Sequence, residues 1–338
     1  MRFLQSIWCP ICLGIITTVL ILSSFFSHSK QTLINSLHDQ YKEGDEWIAP
    51  NENEIPLGSE GDLIRYGKEL IVNTSRYLGP KGIIANLSNG MNCQNCHINA
   101  GRQNFANPFS AVKNNYPKFR NRSGTIETYE FRVNDCMQRS LNGKPLDSSS
   151  LEMKAIVAYV KWIGKDVPKG ILPLGMSTKM PALLNRAGDP QKGQMVFVGN
   201  CQRCHGENGQ GVLSQDGTSY TYPPLWGENS YNVSAGLFTL SKLAGFIKNN
   251  MPYQEATWKN PKLTDEQAWD VAAYIASQPR PVKFFANDWK DFSKKPFDYP
   301  FGPYADNFSE QQHKYGPFEP IKKADSELVL NNNTAGSK

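Results

Sequence analysis

The sequence predicts an all-α fold built from two consecutive copies of one small helical domain, followed by a long irregular C-terminal extension. Three observations carry that reading. The pentapeptides "CQNCH" at Cys93 and "CQRCH" at Cys201 repeat one pattern. Each is preceded by a helix-start signature and followed, after a long loop, by an amphipathic helix with an Ala-Tyr pair. With ordinary apolar and charged fractions, 338 residues suffice for two hydrophobic cores, which excludes a disordered or fibrous chain.

Taken in order, residues 1–29 read as an export signal. Arg2 is followed by no charged residue until Lys30, and Ile11 to Leu22 form an apolar centre. Ser27 and Ser29 offer small residues for cleavage, yet the uncharged run is also long enough to remain in the bilayer as an N-terminal membrane anchor. Both readings place the rest of the chain outside the cytoplasmic membrane, in the periplasm. Cys9 and Cys12 fall inside this segment, with Leu13 where a histidine would complete the pentapeptide, and are expected to be bystanders. Residues 30–55 read as a polar linker.

Seven cysteines in an exported chain first suggest disulfides, but their placement argues otherwise. CxxCH is the attachment signature of c-type haem. Two thiols three residues apart reach the two vinyl groups, and the adjacent histidine takes the proximal side of the iron. Cys93, Cys96, Cys201 and Cys204 are therefore expected to hold two covalently bound haem c, with His97 and His205 as proximal ligands. A redox dithiol needs a βαβ context, and a zinc site needs a second ligand pair nearby; the sequence offers neither. His28, His38 and His313 have no ligand spacing and read as surface or linker residues.

The helices follow. "GDLIRYGKEL" before the first motif and "GDPQKGQMVF" before the second each read as a capped helix start, with Gly67 or Gly193 shortly inside. "MKAIVAYVKWIG", ended by Gly164, and "LTDEQAWDVAAYIASQP", ended by Pro279, close the two units. Helix, CxxCH, long loop, helix is the layout of a class I-like cytochrome c domain. The expected bounds are 56–170 and 188–282, joined by a Gly- and Pro-containing connector at 171–187. Residues 283–338 read as a wrapping extension without regular structure, ending in a disordered tail.

The loops supply the distal ligands. In "NNMPYQ", Met251 lies 46 residues after His205 and 23 before Tyr274, a place that would give His/Met ligation. Counting back 23 residues from Tyr159 reaches Cys136, in "RVNDCMQRSLNG". Met137 beside it and Met180 beyond the closing helix are competing candidates, and a buried free cysteine is the ordinary alternative. A thiolate stabilises ferric iron and methionine raises the potential, so the two haems should differ, the second being the better acceptor.

Lys118, Arg120, Arg122, Arg132 and Arg139 crowd the 22 residues up to Arg139, and Ser140 adds a hydroxyl one turn beyond Cys136. Arginines favour a neighbouring thiolate and hold oxyanions by paired hydrogen bonds, though about half of these are expected at the surface or on haem propionates. Thiol, haem and cations together suggest a small sulfur oxyanion. Overall, 36 basic against 31 acidic residues form no nucleic-acid signature.

These elements, with "YPKFRNRSGTIETYEFRVNDCMQRSLNG", "YPPLWG" and "YPFGPYADNFSEQQHKYGP", resemble the dihaem thiosulfate dehydrogenases, enzymes that also act as tetrathionate reductases. The likeness runs from about residue 55 to 320. It implies that Cys136 is the distal ligand of a catalytic haem, that Arg122, Arg132 and Ser140 shape the anion pocket, and that Met251 ligates an electron-transfer haem. It also implies that two thiosulfates are joined into tetrathionate, or tetrathionate is reduced, with electrons exchanged with an external cytochrome or similar redox partner. The competing reading is a non-catalytic dihaem electron carrier serving a membrane oxidoreductase, with neutral ligands on both irons.

Overall fold

Helix α1 (Ser59–Val72) opens the first domain with Glu60 and Asp62 in its first turn, where carboxylates favour the helix dipole. It starts three residues ahead of Asp62, so the first Gly-Asp lies inside the helix and caps nothing. A short α2 (Thr74–Leu78) leads to the first CxxCH. Beyond it, β1 (Lys118–Arg120) and β2 (Thr125–Glu127) pair as an antiparallel hairpin, Phe119 opposite Ile126. Helix α3 (Tyr129–Arg139) is N-capped by the Thr128 hydroxyl, a bond worth about 1 kcal/mol. Helix α4 (Leu151–Ile163) runs from its Ser150 cap to Gly164, the stop expected from sequence.

The second domain repeats the plan. Asp189 caps α5 (Pro190–Asn200) by accepting from the Gln191 and Lys192 amides. After the second CxxCH come the small pair β3 (Val212–Leu213) and β4 (Tyr220–Tyr222), then α6 (Leu240–Asn250). Helix α7 (Asp265–Ser277) starts with a Thr264–Gln267 capping box. This computed structural model describes residues 44–335; the export segment, Cys9, Cys12, His28 and His38 lie outside the described residues. Among the described residues no helix is long and apolar enough to cross a membrane.

Two helix crossings organise the domains. A Cβ on Gly67 would sit 1.9 Å from the Ala155 carbonyl oxygen, and one on Gly193 would sit 1.9 Å from that of Asp270. Only glycine lets α1 meet α4, and α5 meet α7, at that distance. Tyr159 and Tyr274, each four residues on, pack beside the same glycines. The first core gathers Leu70, Leu78, Met153, Ile156 and Ile163, and the second gathers Phe197, Leu240, Trp269 and Val271.

Three expectations need correction. Residues 44–55 do not behave as a bare linker: Trp47 is 3% exposed in the first core, and its carbonyl accepts from Asn104. Nor is the extension irregular throughout, because α8 (Glu310–Tyr315) and α9 (Glu319–Ala335) close the chain. Ser309 caps α8, and Pro320 lies in the first turn of α9, where a missing N–H costs nothing. Tyr315, Phe318 and Ile321 enter the second core, so apolar burial stabilises helices where proline content suggested none, and the helix carries on through the stretch read as a disordered tail. Finally, His313 is buried rather than a surface residue, its Nδ1 donating to the Phe297 carbonyl at 2.8 Å, its Nε2 lying 3.0 Å from Asp306 Oδ1 and its ring stacking on Tyr304.

Candidate active site and the two haem pockets

The α1–α2 junction fixes the first attachment motif. The Thr74 hydroxyl accepts from the Cys93 amide at 3.0 Å, and Asn92, just before it, accepts from the Ser75 amide at 2.8 Å. Among the described residues none of the four motif cysteines is in a disulfide. Burial pushes Cys93 up to about 11 and Cys96 and Cys201 up to about 12, so these three are not poised as redox thiolates.

The two histidines are set alike. His97 Nδ1 donates to the Asn107 carbonyl at 2.5 Å and His205 Nδ1 to the Pro223 carbonyl at 2.8 Å. That assigns the ring proton to Nδ1 and leaves Nε2 as the lone-pair donor a metal requires. Burial lowers both, His97 to about 4, which keeps the imidazoles neutral. Phe109 stacks on His97 with ring centres 4.5 Å apart.

Buried donors without partners mark where anionic groups belong. Among the described residues the Tyr231 hydroxyl and the Nε and Nη1 of Arg280 have none, with Arg280 lying over the Tyr231 ring at 4.4 Å. Burial raises the Tyr231 phenol, Arg280 opposes, and Cys96 adds a smaller push, which places the pair near the first motif. Carboxylates such as haem propionates satisfy such donors. The residues present fit a haem at each motif.

Opposite the first motif stands Cys136, in the middle of α3. A thiolate there would raise both Cys93 and Cys96, so Cys136 lies near the attachment thiols. Arg132, Cys136 and Ser140 succeed one another at four-residue steps along one helix face. Arg132 Nη1 lies 3.3 Å from Cys136 Sγ and 3.0 Å from Asp135 Oδ2. The Cys136 charge is the chief cause holding the Arg132 guanidinium above its usual range. Ser140 is the C-cap, its amide bound to the Cys136 carbonyl at 2.9 Å, while its hydroxyl makes no hydrogen bond among the described residues. Met137 is 1% exposed in the first core, and Met180 packs against the second, so neither stands with Cys136.

Arg122 arrives from the β1–β2 turn. Its Nη1 donates to the Ser234 carbonyl at 3.3 Å, and its guanidinium lies 5.6 Å from the Trp289 ring. Burial lowers it, Arg139 adds to that, and Asp135 and Asp288 oppose. Of the remaining cations, Lys118 is exposed, Arg120 pairs with Glu127 and the Tyr116 hydroxyl, and Arg139 is locked between Asp135 and Asp288.

Two contributors have no counterpart in the sequence reading. Lys242, on α6 of the second domain, is lowered by desolvation, held up by Asp298 and lowered further by Arg122, Arg132 and Arg120. It therefore belongs to the same cationic cluster. Trp289 adopts a left-handed backbone (φ 57), costing about 1–3 kcal/mol, and its amide donates to the Arg122 carbonyl at 2.6 Å. Only a lysine at the start of an amphipathic helix and an isolated Asn-Asp-Trp were visible beforehand, and neither is a signal.

Met251 follows α6 directly. It is half-buried between the second core and a small cluster of Ile98, Ala106 and Phe246. Asn250 beside it donates to the Phe105 and Phe246 carbonyls at 3.0 Å and accepts from Gln103 at 2.9 Å.

Residues 85–168 match the family described as SoxA/TsdA, cytochrome c domain, and residues 190–279 match cytochrome c. The protein is a dihaem c-type cytochrome oxidoreductase carrying two covalent haem c groups. It is 36% identical over 244 residues to a thiosulfate dehydrogenase of Psychrobacter arcticus, covering 72% of this chain and 70% of that one. To the thiosulfate dehydrogenase of Allochromatium vinosum it is 35% identical over 233 residues, covering 68% and 82%. The chain belongs to the thiosulfate dehydrogenase family. A solved thiosulfate dehydrogenase (TsdBA) from Marichromatium purpuratum superposes with a TM-score of 0.64 at 29% identity over 70% of this chain, which covers 50% of that longer one.

Proposed function

We propose that the protein joins two thiosulfates into tetrathionate beside Cys136, the distal ligand of the first haem, and that the reverse reaction uses the same groups. The observation that carries this reading is Arg132 Nη1 placed 3.3 Å from Cys136 Sγ, inside a cluster with Arg122 and Lys242. Two dianions repel, and a desolvated cluster of cations offsets that repulsion where they meet.

The chain's own residues divide the work. Arg122, Arg132 and Lys242 bind the sulfonate oxygens, and the Ser140 hydroxyl adds a donor on the Cys136 face of α3. The Cys136 thiolate forms a bond to the outer sulfur of one thiosulfate as two electrons leave. A second thiosulfate attacks that sulfur, releasing tetrathionate and restoring the thiolate. The two haems, when bound, accept one electron each. Met251 and His205 would hold the second iron, and a soft neutral thioether there would favour the reduced state. An external cytochrome or similar redox partner would take the electrons from the second domain. The apolar, Arg2-led segment at 1–29 supports export to the periplasm, either cleaved or retained as an anchor.

Electron paramagnetic resonance of the oxidised holoprotein tests the ligand set. A low-spin thiolate/histidine signal from one haem, beside a methionine/histidine signal from the other, is the expected result. Two neutral-ligand signals and no turnover with thiosulfate or tetrathionate would make the protein an electron carrier.

A further inference from the structure

The C-terminal strap, residues 281–299, touches both domains and ends a chain of buried charges that begins at Cys136. Asp288 accepts two hydrogen bonds from Arg139, Nη1 to Oδ2 at 2.6 Å and Nη2 to Oδ1 at 2.8 Å. Arg139 Nε donates to Asp135 Oδ1. Asp135 Oδ2 accepts from Arg132 Nη1 at 3.0 Å, and that same nitrogen is the one beside Cys136 Sγ. The side chains of Arg139, Asp135 and Asp288 are 8%, 9% and 11% exposed, so water screens little of this. The strap is held in place independently. Phe285 lies 3.8 Å from the Arg139 guanidinium, Trp289 binds the Arg122 carbonyl, and Lys283 Nζ donates to the Gly143 carbonyl at 2.9 Å.

One carboxylate, Asp135, thus serves two guanidiniums. We infer that Asp288 is a positioning residue for the thiol: by satisfying Arg139 with a two-point carboxylate pair, it leaves Asp135 available to Arg132 and so limits the hydrogen bond that Arg132 gives Cys136. The inference rests on Cys136 being the distal iron ligand. Without Asp288, the buried Arg139 charge lacks a partner and draws Asp135 toward itself. Arg132 then turns its donor fully onto the sulfur. A stronger hydrogen bond withdraws electron density from the thiolate and favours the reduced iron. The strap, contributed from nearly 150 residues downstream of Arg139, sets how strongly the thiolate donates.

The test compares full-length holoprotein variants by redox titration and electron paramagnetic resonance. Asp288→Asn is expected to raise the potential of the first haem and alter its thiolate signal while the second haem stays unchanged. Asp291→Asn, which removes an exposed carboxylate charge elsewhere on the strap, should move neither. The double variant Arg139→Gln with Asp288→Asn leaves no unpaired buried charge and gives Asp135 wholly to Arg132, so the first potential should fall below wild type. If the single variant does not accumulate with haem, the double variant decides alone. An unmoved first haem, or equal shifts in both haems, overturns the inference. A wild-type spectrum lacking the thiolate signal overturns the ligand reading, and this inference falls with it.

Discussion

In the first domain α1 crosses α4 at Gly67 and Ala155, and in the second α5 crosses α7 at Gly193 and Asp270, with a tyrosine four residues on in each case. Both proximal histidines give Nδ1 to a backbone carbonyl. On the distal side the likeness stops. Cys136 and Met251 sit at the same sequence distance from their tyrosines, yet Cys136 is mid-helix among charges and Met251 follows a helix among apolar side chains. The helix crossing and the attachment face are constrained by close contact and ligand geometry. The faces that carry Cys136 and Met251 are free to differ, and the proposed function gives one copy the chemistry and the other the transfer.

The sharpest way to break that comparison is to make the distal sides alike. Cys136→Met should retain both covalent haems but cut thiosulfate-dependent reduction of an acceptor cytochrome by about a thousandfold or more. Turnover within tenfold of wild type would make the first domain a second carrier. The shared half is probed by Gly67→Ala and Gly193→Ala. Alanine is the better helix former, but a Cβ 1.9 Å from a carbonyl oxygen forces the helices apart, so each should lose about 1–3 kcal/mol in denaturant unfolding. A neutral result at either glycine would show that the two crossings are not equivalent.

The smallest effect concerns the cation lent by one domain to the other. Desolvation lowers the Lys242 ammonium from its usual 10.5. The attraction proposed for thiosulfate is therefore lost as pH rises through that lowered value, before an ordinary lysine would lose its charge. Lys242→Met should raise the KM by about tenfold at pH 7 and flatten the alkaline decline in kcat/KM. An alkaline limb identical in the variant would remove Lys242 from the anion site.

The parts of this design that were legible in sequence are those written in local spacing. CxxCH places three groups within five residues, the Gly-Asp at Asp189 and the stop at Gly164 bound their helices, and the common offset to Tyr159 and Tyr274 singles out Cys136 and Met251 as candidates. The rest depends on contacts between distant residues. Asp288 meets Arg139 across the strap, and Lys242 reaches its cluster only after the domains pack. The carbonyls of Asn107 and Pro223 that orient the histidines belong to the backbone, which every residue type has. His313 lacked ligand spacing and so looked idle, because burial by Tyr304 and Phe308 has no local pattern.

Asn250 stands next to Met251 and grips Phe105, two residues from the Asn107 carbonyl that holds His97. The proximal loop of one centre and the distal loop of the other therefore share a single mount. Electron tunnelling falls steeply with separation, so a hydrogen-bonded link between these two loops bears directly on the distance an electron would have to cross. Cutting the mount would show first as noise in transfer rate, with both spectra intact.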